Sequence, residues 1–216
     1  MNGHLLQKYN VPGPRYTSYP TVPYWDKTPV LEDRWKDLVK DTFEVSNAVE
    51  GISLYIHLPF CEKLCTYCGC NTRITVNHQV EHPYIEALLK EWQLYVDFLP
   101  ARPKLREIHL GGGTPTFFSP ENLRKLITGL LDKADVHPLH EFGFEAHPAN
   151  TTDEHLQTLY EVGFKRISIG VQDFKQEVLH LINRPQTYEQ VAHLTQKARE
   201  IGYTSVNFDL VYGLPK

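Results

Sequence analysis

Five short strand-like segments, separated by stretches of helical periodicity, restrict the folds open to this chain more than any other feature. The segments lie at 53–58, 107–110, 142–146, 166–171 and 204–210. Between them, apolar residues recur every three or four positions, as at Leu123, Leu126, Ile127 and Leu130. Strands that alternate with helices favour a parallel sheet with right-handed crossovers. We therefore predict an α/β fold in which parallel strands form a barrel-like array.

Capping signals predict where several of the helices begin and end. Two capping boxes are predicted, one pairing Thr151 with Glu154 and one pairing Thr187 with Gln190. Glycine readily adopts the left-handed conformation that ends a helix, so these two helices are expected to stop at Gly163 and Gly202. Two further helices are expected over 31–43 and 83–99.

Length and charge narrow the domain organisation and the classes of partner. The 216 residues divide into an irregular N-terminal extension, 1–50, and a strand–helix domain, 51–216. The net charge of −4 supplies no basic surface for nucleic acid. No apolar run approaches the ~18 residues that span a membrane, and the residues after Met1 do not form a signal sequence. We expect a cytoplasmic protein that binds neither nucleic acid nor a membrane.

The four cysteines of the chain all lie between positions 61 and 70. Disulfides are disfavoured in the cytoplasm, and clustered cytosolic thiols usually hold metal. Zinc sites typically draw their ligands from two separated pairs, and no second pair is present here. Iron–sulfur clusters take thiolates from compact runs such as this C-x3-C-x2-C spacing. The spacing favours an iron–sulfur cluster, with a zinc-stabilised domain and inert or redox thiols as the alternatives.

Three thiolates on a four-iron cluster leave one iron without a protein ligand. Cys61, Cys65 and Cys68 are the predicted ligands, and the remaining iron is free to bind a small molecule. The role of Cys70 stays open among three alternatives: a spare thiol, a fourth ligand in an inactive cluster, or a residue near a bound cofactor.

The cysteine spacing resembles the signature of the radical S-adenosylmethionine (SAM) superfamily. Within it, five segments resemble the oxygen-independent coproporphyrinogen III oxidase family, from about residue 8 to the last residue. They include GPRYTSYPT, GGGTPT and GVQDF and lie at 8–21, 55–61, 111–116, 170–174 and 209–216. The resemblance implies an incomplete (β/α)6 partial TIM-type barrel, truncated before its last strand and a C-terminal domain.

The same resemblance implies a reaction, cofactors and partners. The reaction is the oxidative decarboxylation of two propionates of coproporphyrinogen III, which gives protoporphyrinogen IX in haem biosynthesis. The reaction requires a 4Fe–4S cluster, two molecules of SAM, and an electron donor such as flavodoxin or ferredoxin. The resemblance also implies that the protein is a monomer. The alternative is a haem-carrying chaperone of the same superfamily. The chaperone usually has an aromatic residue at the position of Cys70 and lacks a segment like 13–21. Both features of this sequence therefore favour the oxidase.

The resemblance also assigns cofactor contacts, each of which has a plainer structural explanation. Contacts to the first SAM are expected from the strand aromatic Tyr55, from Tyr67, from the glycine-rich turn at Gly112 and from the strand-end acid Glu145, which would bind the ribose. Contacts to the second SAM are expected from Gly113, Thr114, Gln172, Arg184 and Asp209. Without the resemblance, Tyr55 would be read as a half-buried aromatic of a strand and the glycines as a tight turn. The polar residues would be read as exposed ends of strands or helices.

Two further segments bear on the same site. The N-terminal segment with Arg15 is expected to reach over it. The segment 145–149 departs from the commoner Glu-x-Asp-Pro-Arg pattern, because His147 and Ala149 replace the second acid and the arginine. This departure leaves ribose binding by Glu145 intact but changes the residues around it.

Overall fold

The structure is a computed structural model that describes residues 3–11 and 21–214. The chain divides into two compact units, Met1–Asp37 and Leu38–Lys216. The first contains α1 (Gly3–Tyr9), a 3-10 helix (Val22–Tyr24) and the start of α2 (Glu32–Ser46). Arg15 lies outside the described residues, and the domain boundary at residue 50 stays a prediction. No helix in the described ranges combines the length and apolar character needed to cross a membrane.

The second unit is built on a five-stranded parallel sheet, which confirms the predicted α/β class and forms a partial TIM-type barrel. Its strands occur in the order β1 (Ile52–Leu58), β4 (Lys104–Gly112), β5 (Asp135–Ala146), β6 (Phe164–Gln172) and β7 (Ser205–Leu210). A separate parallel pair joins β2 (Phe60–Cys61) to β3 (Arg73–Ile74). The helices are α3 (Glu81–Phe98), α4 (Pro120–Leu131), α5 (Asp153–Glu161), α6 (Gln176–Leu181) and α7 (Tyr188–Ile201), with 3-10 turns at His78–Val80 and Pro115–Phe117.

One of the two predicted capping boxes is confirmed and the other is wrong. Thr187 and Gln190 cap α7, and Gly202 ends it with φ of 112°. The box at α5 pairs Thr152 with His155, one residue later than predicted. Thr151 is engaged elsewhere, because its hydroxyl donates to the His147 carbonyl at 2.9 Å and also bonds the Thr116 hydroxyl at 2.9 Å.

Strand β5 begins seven residues before the predicted position. Its pairing with β4 shifts register where β4 passes from Leu105 to Glu107 and β5 passes from Val136 to Glu141. Pro138 lies in this interruption, where a missing backbone donor is tolerated. The His137 ring satisfies the irregular backbone, since it bonds the Val49 carbonyl at 3.1 Å and accepts from the Leu139 N–H at 3.0 Å.

The two faces of the sheet differ in chemistry. One, called the apolar face, is buried in the hydrophobic core and carries Ile108, Leu110, Phe142, Phe144, Ile167 and Ile169. The other, called the polar face, carries the alternate residues Glu107, His109, Glu141, Glu145, Arg166 and Ser168. Polar-face residues of β4 to β7 line a cavity of about 580 Å³. The alternation therefore places a polar surface toward the barrel interior.

Candidate functional site

The carboxyl ends of the strands surround a cavity of about 230 Å³. The cavity brings together nearly all of the predicted site residues: Cys61, Cys65, Tyr67, Cys68, Gly112, Gly113, Thr114, Glu145, Gln172, Arg184 and Asp209. Cys70 and His147 also line it. Tyr55 is the predicted site residue that does not.

The cysteine-bearing loop, residues 61–72, is fixed at its ends and at its tip. The Arg73 N–H donates to the Pro59 carbonyl at 2.8 Å, and the Thr75 N–H donates to the Cys61 carbonyl at 2.9 Å. At the tip, the Asn183 side-chain amide donates to the Leu64 carbonyl at 2.8 Å. Asn183 has a φ of 53°, a left-handed conformation that asparagine tolerates better than most residues. The backbone around the thiols is thus held before any ligand binds.

The thiols of this loop fit an iron–sulfur cluster. All four are free, with Cys61, Cys65 and Cys68 partly buried and Cys70 exposed. Thiolates are the usual protein ligands of such clusters, and all four cysteines, including the three predicted ligands, border one cavity here. Within the described ranges, no three His, Cys, Asp or Glu side chains converge closely enough to hold a single metal ion. A cluster presents several irons, so its ligands do not need to converge on one point.

Two of these thiols have buried polar neighbours. The Cys61 sulfur lies 3.4 Å from the Thr114 hydroxyl, and the Cys65 sulfur lies 3.6 Å from Nη1 of Arg184. Burial raises the pKa of the Cys61 thiol, and the Thr114 hydrogen bond acts in the opposite direction. Burial raises the pKa of Tyr67 to about 12, so that phenol stays protonated beside the cysteines.

The glycine-rich turn is bonded to the segment that leads into the cysteines. The Gly113 N–H donates to the Leu58 carbonyl at 2.8 Å, and the Thr114 N–H donates to the Phe60 carbonyl at 3.0 Å. A Cβ on Gly113 would lie 2.7 Å from the backbone of Pro59. The glycine is therefore required where the end of β4 packs against the start of the cysteine-bearing segment.

Tyr55 and Glu145 are joined through His109 on the polar face. The Tyr55 ring stacks on the His109 ring with a centroid distance of 6.0 Å, and Nε2 of His109 lies 3.4 Å from Oε1 of Glu145. The Tyr55 hydroxyl bonds Nδ1 of His57 at 3.1 Å. Oε2 of Glu145 has no hydrogen bond among the described residues, so it can accept from a ligand hydroxyl. Tyr55 thus lies beside Glu145 rather than on the cavity wall.

Arg184 is buried, with 7% of its surface exposed. Nη2 donates to the Gly170 carbonyl at 2.5 Å, and Nε donates to Oε1 of Gln186 at 2.9 Å. Gln186 is itself held by a bond of 2.5 Å to the Val171 carbonyl. A Cβ on Gly170 would lie 2.6 Å from Nη2, so this glycine makes room for the guanidinium.

Gln172 and Asp209 lie at the ends of neighbouring strands. Gln172 has a φ of 66°, and the pairing of β6 with β7 is irregular at the same place. Such backbone costs about 1–3 kcal/mol and is concentrated at functional sites. Oδ2 of Asp209 accepts from the Ser168 hydroxyl at 3.0 Å, which leaves Oδ1 available.

His147 occupies the position at which the sequence departs from the commoner pattern. Its Nδ1 accepts from the Ala149 N–H at 3.1 Å, so the ring proton is on Nε2. Burial, followed by the charge of Arg184, lowers the pKa of His147 to about 3. The ring is therefore neutral, and it does not balance the Arg184 charge as an acid would.

Sequence reasoning missed His109 and Gln186. Both act by holding a predicted residue, Glu145 and Arg184 respectively. Gln186 follows a proline in a loop and carries no periodic signal, whereas His109 alternates with apolar neighbours on β4 and could have been placed on the polar face.

Comparisons with known proteins agree with this site. A family model described as the radical SAM superfamily matches residues 55–216. A Pseudomonas aeruginosa protein named oxygen-independent coproporphyrinogen III oxidase is 37% identical over 98% of this chain and 46% of its own length. An Escherichia coli K12 protein of the same name is 39% identical over 98% of this chain and 45% of its own length.

A solved structure gives the same result. Coproporphyrinogen III oxidase from Escherichia coli, described as a radical SAM enzyme, has a TM-score of 0.84 and 36% identity, covering 99% of this chain and 46% of that chain. The chain thus spans less than half the length of the relatives that it matches.

Proposed function

The chain belongs to the radical SAM superfamily, and on that premise we propose that it carries the cluster and SAM site of an oxygen-independent coproporphyrinogen III oxidase. The observation that carries the proposal is the single cavity that gathers the three cysteines, Glu145 and Arg184. The reaction is the oxidative decarboxylation of two propionates of coproporphyrinogen III to vinyl groups, as the names of the relatives suggest.

We infer that Cys61, Cys65 and Cys68 hold a 4Fe–4S cluster. When bound, such a cluster supplies the electron that cleaves SAM to a 5′-deoxyadenosyl radical, which removes hydrogen from the substrate. The protein contributes geometry and shielding. The loop that carries the thiols is hydrogen-bonded at its ends and at its tip, and the protonated Tyr67 lines the same cavity.

The remaining residues orient SAM. Glu145 accepts the ribose hydroxyls, and His109 fixes the direction of the carboxylate. Arg184 has five N–H donors and uses three within the protein, which leaves two for a carboxylate. We propose that the second SAM binds beside Arg184, Gln172 and Asp209, all of which border the cavity.

The partners follow from the same proposal. The substrate is a porphyrinogen, and the electron donor is a low-potential protein such as flavodoxin or ferredoxin. We infer a cytoplasmic monomer that contacts neither nucleic acid nor a membrane. The net charge of −4 supports the part of this inference that concerns nucleic acid.

Anaerobic reconstitution with iron and sulfide tests the site. The expected content is ~4 iron and ~4 sulfide per chain, and SAM with dithionite is expected to yield 5′-deoxyadenosine. Cys65→Ala is expected to lose the cluster, and Cys70→Ala is the matched control that keeps it. Stoichiometric zinc instead of iron would refute the assignment.

Turnover tests the substrate. Coproporphyrinogen III, SAM and a reductant are incubated anaerobically, and decarboxylated porphyrin and 5′-deoxyadenosine are measured together. Because relatives are about twice as long, the same assay is run on the full-length Pseudomonas aeruginosa relative as a positive control. Haem binding by this chain without decarboxylation would favour the haem-carrying chaperone.

A further inference from the structure

Buried polar side chains lie within hydrogen-bond distance of two of the three proposed ligand sulfurs. The Thr114 hydroxyl lies 3.4 Å from the Cys61 sulfur, and Nη1 of Arg184 lies 3.6 Å from the Cys65 sulfur. Both distances suit hydrogen bonds to sulfur. Thr114 and Arg184 are each only 7% exposed, so solvent competes little for either contact.

The Arg184 charge has no carboxylate partner among the described residues. Its other hydrogen bonds end on the Gly170 carbonyl and the Gln186 side-chain carbonyl. Among the described residues, no Asp or Glu oxygen forms an ion pair with it, and the nearby His147 is neutral. A buried cation without a counter-ion is costly. The cysteine sulfurs, which are negative when they hold iron, are the anions placed to balance it.

We propose that Arg184 and Thr114 set the reduction potential of the cluster by hydrogen bonding to the sulfurs of Cys65 and Cys61. The inference rests on the proposed function, since it requires the cluster. Reduction adds one electron, taken from the low-potential donor, and makes the sulfurs more negative. Hydrogen bonds to a more negative acceptor are stronger, so both donors favour the reduced form. They are positioning residues for the cluster, apart from any contact with SAM.

The immobility of the guanidinium supports this assignment. Gln186 and the Gly170 carbonyl bond Nε and Nη2, so Nη1 is aimed at Cys65 before a cluster is present. Gly170 leaves no room for a side chain, because a Cβ there would lie 2.6 Å from the guanidinium. A fixed donor needs no reorganisation when the sulfur gains charge.

Potentiometric titration of the reconstituted protein, monitored by the EPR signal of the reduced cluster, tests the proposal. SAM is omitted, so a change in SAM binding cannot affect the result. Arg184→Met is expected to lower the potential by about 59 mV, which corresponds to a tenfold change in the ratio of oxidised to reduced cluster for one electron. Arg184→Lys, which keeps the charge, is expected to lie between Arg184→Met and the unsubstituted protein.

The threonine offers a closely matched set. Thr114→Val removes the hydroxyl with little change in shape and is expected to shift the oxidised-to-reduced ratio about threefold, since a neutral donor is weaker than a charged one. Thr114→Ser is expected to restore it. Thr116→Val is the control, because Thr116 is also buried but bonds the Thr151 hydroxyl at 2.9 Å instead of a sulfur.

The outcomes separate this proposal from the function on which it rests. Potentials of Arg184→Met and Thr114→Val equal to that of Thr116→Val would overturn the redox role while leaving the cluster in place. Absence of a cluster from the unsubstituted protein would overturn both. If Arg184→Met loads no iron, the Thr114→Val and Thr114→Ser pair decides. A hyperfine coupling from ¹⁵N-labelled guanidinium to the reduced cluster is a second expected signature, and its absence would contradict the contact.

Discussion

The two faces of the central sheet follow opposite rules. On the apolar face, Phe142 and Phe144 are each 1% exposed and pack beside Phe164. On the polar face, Glu145 alternates with Phe144 along β5 and Arg166 alternates with Ile167 along β6, and both remain about half exposed. Apolar burial stabilises one face, whereas ion pairs and hydrogen bonds in water contribute little to the other. Within each strand, the residues of the apolar face therefore contribute most of the stability, and the residues of the polar face are available for chemistry.

The largest expected effect is on the apolar face. Phe144→Ala should lower the free energy of unfolding by about 3–5 kcal/mol, because it leaves a cavity between the sheet and its covering helices. Denaturant unfolding followed by circular dichroism measures the change. Phe144→Leu, which keeps much of the volume, should lose clearly less. Equal losses in the two variants would contradict the cavity explanation.

His147 sharpens the comparison, because it lies just beyond a polar-face strand end yet is largely enclosed. Its lowered pKa means that the folded protein binds fewer protons than the unfolded chain between pH 6.5 and about 3. The stabilising effect of a neutral His147 is therefore complete above pH 6.5 and is lost as the pH falls through that window.

The test compares the unsubstituted protein with His147→Asn, which keeps an acceptor for the Ala149 N–H. The stability of the unsubstituted protein should fall more steeply with decreasing pH, by up to about 1.4 kcal/mol per pH unit. His155, whose pKa is also lowered by burial, titrates in both proteins and cancels in the difference. Parallel curves would show that His147 titrates normally.

Glu145 should affect binding rather than stability. Glu145→Gln is expected to change the free energy of unfolding by less than about 0.5 kcal/mol, as for other exposed substitutions. The dissociation constant for SAM should rise about tenfold, or about 1.4 kcal/mol. Calorimetric titration measures it. The control, Glu141→Gln, lies on the same strand and face but outside the cavity, and a comparable loss of SAM binding there would refute the assignment.

The smallest effect is expected for the ion pair between Arg166 and Glu141. Both side chains are about half exposed, so Arg166→Gln should cost about 0.2–1 kcal/mol. A double-mutant cycle with Glu141→Gln measures the coupling, which should weaken as salt is added. A coupling above about 2 kcal/mol would mean that the polar face contributes to stability after all.

Much of the fold could be predicted because local patterns agree with the final packing. All five strands lie where apolar segments predicted them, and α7 begins and ends at its capping signals. The early start of β5 could not be predicted, because Pro138 normally interrupts a strand and only the His137 ring compensates for it. The misplaced box at α5 has a similar cause, a tertiary bond of Thr151.

The candidate site was partly predictable for a topological reason. Parallel strands place their carboxyl ends on one edge, which explains why the strand-end residues Glu145, Gln172 and Asp209 meet the cysteines there. The orientation of the Arg184 guanidinium could not be predicted. It depends on the space that Gly170 leaves for it and on the hydrogen bond to Gln186. The packing role of Gly113 was hidden for the same reason, since sequence shows the glycine but not the Pro59 backbone against it.

The close approach of Gly113 to Pro59 has a consequence for how the protein would fail. Two backbone segments in contact, with no side chain between them, cannot separate gradually. Loosening of the cysteine segment would pull the adjoining end of β4 with it and open the nucleoside pocket in the same event. Bleaching of the iron chromophore would then report the opening of the barrel mouth.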